Sequence, residues 1–173
     1  MWSFFETVRN RHSVRRYETQ MPVEQEKLHA ILETATAAPS AGDLQSYRIF
    51  VVTDLTQRQQ LVKCSANNEF IAEAPVCMVF CADPKRAVAS FGEQSGQLFA
   101  VQDATIVASY AQLAAVAAGL ASAWVGDFEP AAVAQLLELP SDIEPMALIT
   151  VGYPAELPEL TPRLALTDVV EFL

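Results

Sequence analysis

Histidine is nearly absent from this chain, cysteine is scarce and basic residues are few, and each shortage removes a class of function. The 173 residues hold two histidines, His12 and His29, and three cysteines, Cys64, Cys77 and Cys81. Three cysteines make no even disulfide framework, no secretory signal precedes them, and no neighbouring His or Cys completes a metal-ligand set. Core thiols in a reducing cytoplasm are the expectation, with no metal. Lys and Arg number 11 against 21 Asp and Glu, a net charge of −10. Such a chain has no basic field with which to release counterions from nucleic-acid phosphates, so no nucleic-acid partner is expected. No G-x-S-x-G, H-E-x-x-H, Walker loop or G-x-G-x-x-G occurs in the sequence. Serine hydrolases, zinc proteases and the common nucleotide-binding motifs therefore lose their usual supports. Chemistry carried by this chain needs a cofactor.

One absence misleads. Residues 104–126 carry no charge, and apolar counting alone flags a membrane span. The run is rich in Ala, is interrupted by Tyr110, Gln112 and several Ser, and is flanked by Asp103 and Asp127. Charged flanks of that sign and a glycine stop at Gly119 fit a buried helix over residues 102–119 and a strand over 121–125. No membrane partner is expected.

What is present is an apolar fraction of 51% with 18% charged residues, enough for one full core in one domain. The apolar surplus predicts an obligate subunit interface. Trp2, Phe5 and Val8 recur at helical spacing. A helix opens near Pro22, carries the stripe Leu28, Ile31, Leu32 and Ala35, and ends at Pro39. Strands are expected at 48–53, after Pro75 and at 145–151. A helix capped by Asp54 should turn Leu55, Leu61 and Val62 inward, and short helices follow at 67–74 and 130–137. Residues 84–96 show no clear pattern and are expected to be partly mobile. With no repeats and no linker, this mixed order supports an α+β or α/β domain.

Two polar segments stand out. Arg9, Arg11, Arg15 and Arg16 fall within eight residues of an acidic protein. Arg11-His12-Ser13-x-Arg15 offers guanidinium forks and a hydroxyl suited to a phosphate. Pro39-Ser40-Ala41-Gly42-Asp43-x-Gln45 is a turn of small and polar residues that lets a flat ligand approach the backbone. Arg163, in the proline-rich tail, is another cation with no local partner.

R-H-S-V-R-R-Y, A-P-S-A-G-D-L-Q, the Ala-rich helix leading into G-L-A-S-A-W-V-G, and V-G-Y-P-A-E stand in this order along the chain. Together they resemble the FMN-dependent nitroreductase family over nearly the whole length. The resemblance implies a single α+β domain over residues 1–173, a three-layer fold with a central, mostly antiparallel sheet flanked by helices. It also implies an obligate homodimer with FMN at the subunit interface. Carried over, Arg11, His12 and Ser13 would hold the phosphate and ribityl region, and Arg163 would return to the phosphate. Arg15 would stand at the pyrimidine edge, where a cation stabilises a reduced, anionic ring. Pro39, Ser40 and Ala41 would line the ring from the other subunit, with Asp43 and Gln45 at its polar edge. Trp124, Val125 and Gly126 would approach the reactive flavin nitrogen.

The implied activity is ping-pong passage of hydride from NADH or NADPH through FMN to a nitroaromatic, quinone or similar small acceptor in the cytoplasm. A flavin reductase, a dehalogenating reductase and a non-catalytic flavin-storage protein remain open. The chain departs from the family at Asp43, where Asn is usual, and at Ser46-Tyr47, where Pro-Trp follows the Gln. An ionised Asp43 cannot donate a hydrogen bond, so it either lowers the flavin potential or pairs with Arg15 or Arg48. Lys85 and Arg86 are the nearest candidates for substrate-side cations.

Overall fold

The computed structural model describes residues 3–158 and 161–173; Trp2 of the expected N-terminal stripe lies outside them. Ser3 and Glu6 form a reciprocal cap that starts α1, Phe4–Asn10. Helix α2, Gln25–Thr36, begins later than Pro22 because Glu24 stays extended, its carboxylate held by the Tyr153 hydroxyl at 2.7 Å. Ile31 and Ala35 of the expected stripe are buried, with Leu28 and Leu32 packed beside them. A short 3-10 helix, Ala41–Asp43, leads into β1, Tyr47–Val52.

Asp54 caps α3, Leu55–Lys63, as expected. Leu61 and Val62 turn inward, but Leu55 is half exposed, and the third buried residue of the helix is Arg58. Its guanidinium donates to the carbonyls of Ala72 and Ala74, at the end of α4, Phe70–Glu73. Strand β2, Val76–Ala82, is buried throughout. Residues 84–96 are ordered rather than patternless: α5, Lys85–Phe91, turns at Gly92 (φ 81°) into α6, Glu93–Ala117. Helix α6 thus starts well before residue 102. A Cβ on Gly96 would come within 2.4 Å of the Val88 backbone, so the two helices meet backbone to backbone. Strand β3, Ala121–Val125, helix α7, Pro130–Leu136, and strand β4, Glu144–Gly152, complete the domain.

The four strands form one antiparallel sheet in the order β1-β2-β4-β3. Period-two alternation divides β2 between the two faces. Cys77, Val79 and Cys81 pack with Leu61, Ile71 and Val133 from α3, α4 and α7. Val76, Met78 and Phe80 pack with Ile31, Ala35, Val107 and Ala111 from α2 and α6. That gives the expected α+β, three-layer, antiparallel architecture, in which each fully buried Ile, Leu or Phe contributes about 1.5–3 kcal/mol. Burial pushes the Cys77 and Cys81 thiols up to about 12, so both stay protonated packing groups. Among the described residues no helix is long and apolar enough to cross a membrane.

Candidate functional site

The basic segment lies along the outer side of β3. Ser13 bridges Ser122 in parallel, and the Val14 amide donates to the Ser122 carbonyl at 3.1 Å. Tyr17 bridges Pro154, while Glu18 and Ala155 exchange backbone bonds with Tyr153 and Arg16. Val14 and Tyr17 are the buried anchors. The Tyr17 hydroxyl meets Thr150 Oγ1 at 2.8 Å, and Thr150 Oγ1 in turn accepts from the Ala123 amide. Burial drives the Tyr17 phenol well above its ordinary pKa, which fixes it as a neutral hydrogen-bonding group. The V-G-Y-P-A-E stretch and β3 thus hold the basic segment from both sides.

Its charges are not balanced. Arg16 pairs with Glu73 at 3.4 Å, and the Arg15 amide donates to Glu156 Oε1 at 2.6 Å while its side chain is exposed. The half-buried Arg11 guanidinium is held below its ordinary pKa, first by burial and then by the charge of Arg163. Among the described residues neither Arg11 nor Arg163 forms a salt bridge. Arg163, from the opposite end of the chain, thus comes near enough to act on the charge of Arg11, a like-charge approach that an anion beside Arg11 would relieve. His12 lies beside it in a cleft of about 510 Å³, lined also by Asn10, Val14, Gly119, Pro154 and Glu156.

The small-residue loop is built by different means. After α2 the chain passes Pro39 and Ser40 into the 3-10 turn, where Gly42, Asp43 and then Gln45 take φ of 57°, 55° and 51°. Left-handed geometry costs roughly 1–2 kcal/mol at each non-glycine residue. The Ser40 hydroxyl accepts from the Gln45 amide at 3.0 Å, and Gln45 Nε2 reaches the Thr36 carbonyl at 3.4 Å. From α5, Arg86 donates to the Leu44 carbonyl. A Cβ on Gly42 would stand 3.0 Å from the Phe91 ring, so α5 roofs the turn. Asp103 of α6 is 2% exposed and accepts two amides, Ala41 on Oδ1 at 2.9 Å and Ser46 on Oδ2 at 3.2 Å. Charge-assisted bonds of this kind are worth about 1.5–3 kcal/mol each. They offset the left-handed residues.

Within one protomer the two segments do not meet. The sheet is about 14 Å wide from β1 to β3, three steps of roughly 4.8 Å, and the loop leads into β1 while the basic segment lies alongside β3. They also stand at opposite ends: Tyr47 is level with Ala82 and Glu144, whereas Ser122 is level with Val151 and Val76. Trp124 and Val125 lie farther along β3 from Ser122, with Gly126 just beyond the strand. Trp124 packs against the α6 face, Val125 is buried, and Gly126 is exposed. Asp43 is exposed and forms no ion pair with Arg15 or Arg48 among the described residues. Arg48 instead stacks on the Phe50 ring at 5.5 Å.

The residues that sequence reasoning passed over are the ones that hold these segments. Helix α6 carries two buried polar side chains, Asp103 and Gln112. Asp103 fastens the loop, and Gln112 Nε2 donates to Ser122 Oγ at 3.3 Å beside the basic segment. Nine residues of helix set them about 13 Å apart. The signal was legible in part: Asp103 is the only charged side chain between Glu93 and Asp127. Read as the flank of an apolar run, it hid its place on the buried face.

The sequence profile described as the nitroreductase family matches residues 8–67 and 55–153. A Thermus thermophilus protein named NADH dehydrogenase is 33% identical, over 92% of this chain and 91% of its own. An oxygen-insensitive NADPH nitroreductase of Salmonella typhimurium is 31% identical, over 92% of this chain and 69% of its own. The structure of an NADPH:FMN oxidoreductase from Vibrio harveyi, complexed with NAD+, superposes with a TM-score of 0.89 at 28% identity, covering 98% of this chain and 76% of that one. The family profile, the identity to these relatives and the structural likeness each extend over most of the chain, and the protein belongs to the nitroreductase family.

Proposed function

We propose that the chain is an FMN-dependent oxidoreductase that passes hydride from NADH or NADPH to a small acceptor such as a nitroaromatic or a quinone. It acts as a cytoplasmic homodimer of single domains spanning residues 1–173. One observation carries the reading: the half-buried Arg11 feels the like charge of Arg163, neither has an ion-pair partner among the described residues, and such a pair of guanidinium groups suits a phosphomonoester. The names of the relatives supply the rest, since those of the Salmonella and Vibrio harveyi proteins specify NADPH and a nitro or FMN substrate.

In this reading Arg11, His12, Ser13 and Arg163 hold the phosphate and ribityl end. Arg15 stands by the pyrimidine edge, and Trp124, Val125 and Gly126 line the ring beside β3. Pro39, Ser40, Ala41, Asp43 and Gln45 come from the second copy, because their own protomer keeps them at the far edge of the sheet. Strand β1 has no further strand beside it among the described residues, whereas β3 is bridged at Ser122 by the basic segment. Phe4 and Phe5 of α1, and Leu164, Leu166 and Phe172 of the tail, are more than two-thirds exposed. A second copy covering these surfaces supports the dimer. FMN supplies reversible two-electron chemistry when bound. The chain positions the nicotinamide and the acceptor over one face, excludes water, and provides at Arg15 a cation for developing negative charge.

The test is the visible spectrum of the purified protein, recorded before and after anaerobic NADH or NADPH. Flavin bands that bleach, and recover on adding a quinone, are the expected result. A protein that stays colourless with added FMN overturns the proposal, and yellow protein that no nicotinamide bleaches reassigns it to flavin storage.

A further inference from the structure

Asp103 is costly for the helix that carries it. Aspartate is a poor residue for a helix interior, and here it is 2% exposed in an apolar helix, with no Lys or Arg in ion-pair range among the described residues. Nothing in α6 requires it. Its two oxygens are spent on a segment 57 to 62 positions earlier in the chain, the amides of Ala41 and Ser46. These are the two ends of the left-handed turn, so one carboxylate staples the loop shut across its mouth.

The loop needs that staple. Asp43 and Gln45 are non-glycine residues in left-handed geometry, and Ser46 Oγ is buried with no hydrogen-bond partner. Three local penalties fall within four residues, and they persist only where the surroundings over-determine the conformation. Two other ties are as short, but the Ser40 hydroxyl to the Gln45 amide at 3.0 Å closes only within the loop, and the Asp83 amide to the Ser46 carbonyl at 3.0 Å holds only its last residue. Gln45 Nε2 and Arg86 reach their carbonyls only at 3.4 and 3.3 Å, from exposed side chains.

We propose that Asp103 is a positioning residue for the cofactor loop: without touching the cofactor, its carboxylate holds residues 40–46 in the geometry that presents Ser40 and Ala41, and thereby sets FMN affinity. This rests on the FMN reading above. The physical link is population. A ligand that needs one loop conformation has its apparent Kd raised by the reciprocal of that conformation's population, and loss of the staple lowers the population. Asn at 103 keeps one acceptor oxygen and turns an N–H₂ toward the other amide. Ser keeps neither contact at that reach.

The experiment compares FMN binding by flavin-fluorescence quenching in the wild-type dimer, Asp103→Asn and Asp103→Ser, at a temperature where circular dichroism shows all three folded. Amide hydrogen exchange is followed at Ala41 and Ser46. The expected Kd rises about ten-fold for Asn and about a hundred-fold for Ser, the loss of one and of two charge-assisted bonds. Exchange at the two amides should accelerate in the same order, while α6 and the sheet remain protected. A purely structural role would lower the melting temperature and leave the Kd of the folded protein unmoved.

Equal Kd values in all three proteins overturn the inference, and so do unchanged exchange rates at Ala41 and Ser46. Wild-type protein that binds no FMN overturns the functional reading first, and this inference with it. Should neither variant fold, native-state exchange in the wild type decides. Ala41 and Ser46 amides as protected as those of α6, with protection rising on FMN addition, support the staple. Protection no better than that of exposed loop amides overturns it.

Discussion

The basic segment and the small-residue loop are held in place by opposite strategies. The segment at Arg11–Tyr17 is fixed largely by main chain, through its bridges to Ser122 and Pro154, and its Arg11 and Arg15 side chains have no ion-pair partner among the described residues. The loop has a backbone tie to the sheet only at its end, where the Asp83 amide donates to the Ser46 carbonyl. Otherwise side chains fix it, Asp103 and Arg86 from α6 and α5 and its own Ser40, and its backbone carries the strain. Backbone pairing tolerates side-chain change and leaves cations available for a ligand; side-chain clamping makes a more exact shape that depends on single residues. Substitutions in the segment should therefore change what is bound, and substitutions around the loop should change whether the site is formed.

The largest effect is expected where charge is unbalanced. Arg11→Gln and Arg163→Gln each remove about 1.5–3 kcal/mol of charge-assisted bonding to phosphate, so the FMN Kd should rise about ten- to a hundred-fold. Riboflavin has the same ring and no phosphate, and its affinity should stay unchanged in both variants. Titration of FMN and riboflavin in parallel by fluorescence quenching checks this. An equal loss for both ligands would mean that these arginines shape the site rather than bind the phosphate.

That contrast also explains what could be read from the sequence. Four arginines within eight residues of an acidic chain are a compositional anomaly, and anomalies are visible without a structure. The P-S-A-G-D loop was equally visible as turn chemistry, because its residues are chosen for local φ and ψ. The strands and the α2 stripe followed from period. What stayed hidden depends on long-range partners. The helix expected to open near Pro22 starts only after Glu24, whose carboxylate is held by the Tyr153 hydroxyl 129 positions away. Residues 84–96 lacked a pattern because Gly96 and Ala87 exist there for close helix contact, which has no hydrophobic period. Asp103 was masked by the apolar run it punctuates.

A smaller effect separates fixing a segment from forming a site. Tyr17→Phe deletes the hydroxyl that meets Thr150 and keeps the ring volume. Thr150 Oγ1 retains the Ala123 amide as donor and the Ala123 carbonyl as acceptor, so no buried group is orphaned. The expected cost is therefore at the low end of a lost hydrogen bond, about 1 kcal/mol of stability, read as a lower urea midpoint at unchanged slope. The FMN Kd should change less than about two-fold, because the Ser13–Ser122 bridge remains. A large affinity loss with unchanged stability would show that the basic segment is side-chain clamped too, and would dissolve the distinction.

The smallest effect probes the loop at its most exposed point. Asp43 has φ of 55°, a geometry in which Asn is at least as comfortable as Asp, so Asp43→Asn should leave the loop backbone and the melting temperature unchanged. It removes one negative charge and adds a donor at the polar edge of the ring. Both changes favour a reduced, anionic flavin, so the midpoint potential should rise. The side chain is exposed and screened, and an exposed charge interaction is worth about 0.2–1 kcal/mol. For a two-electron couple that corresponds to roughly 5–20 mV. Anaerobic potentiometric titration of both proteins resolves the shift, which should shrink as salt is raised. A fall in potential, or none at any ionic strength, would mean that Asp43 faces solvent in the dimer and that the flavin edge is read by Gln45 alone.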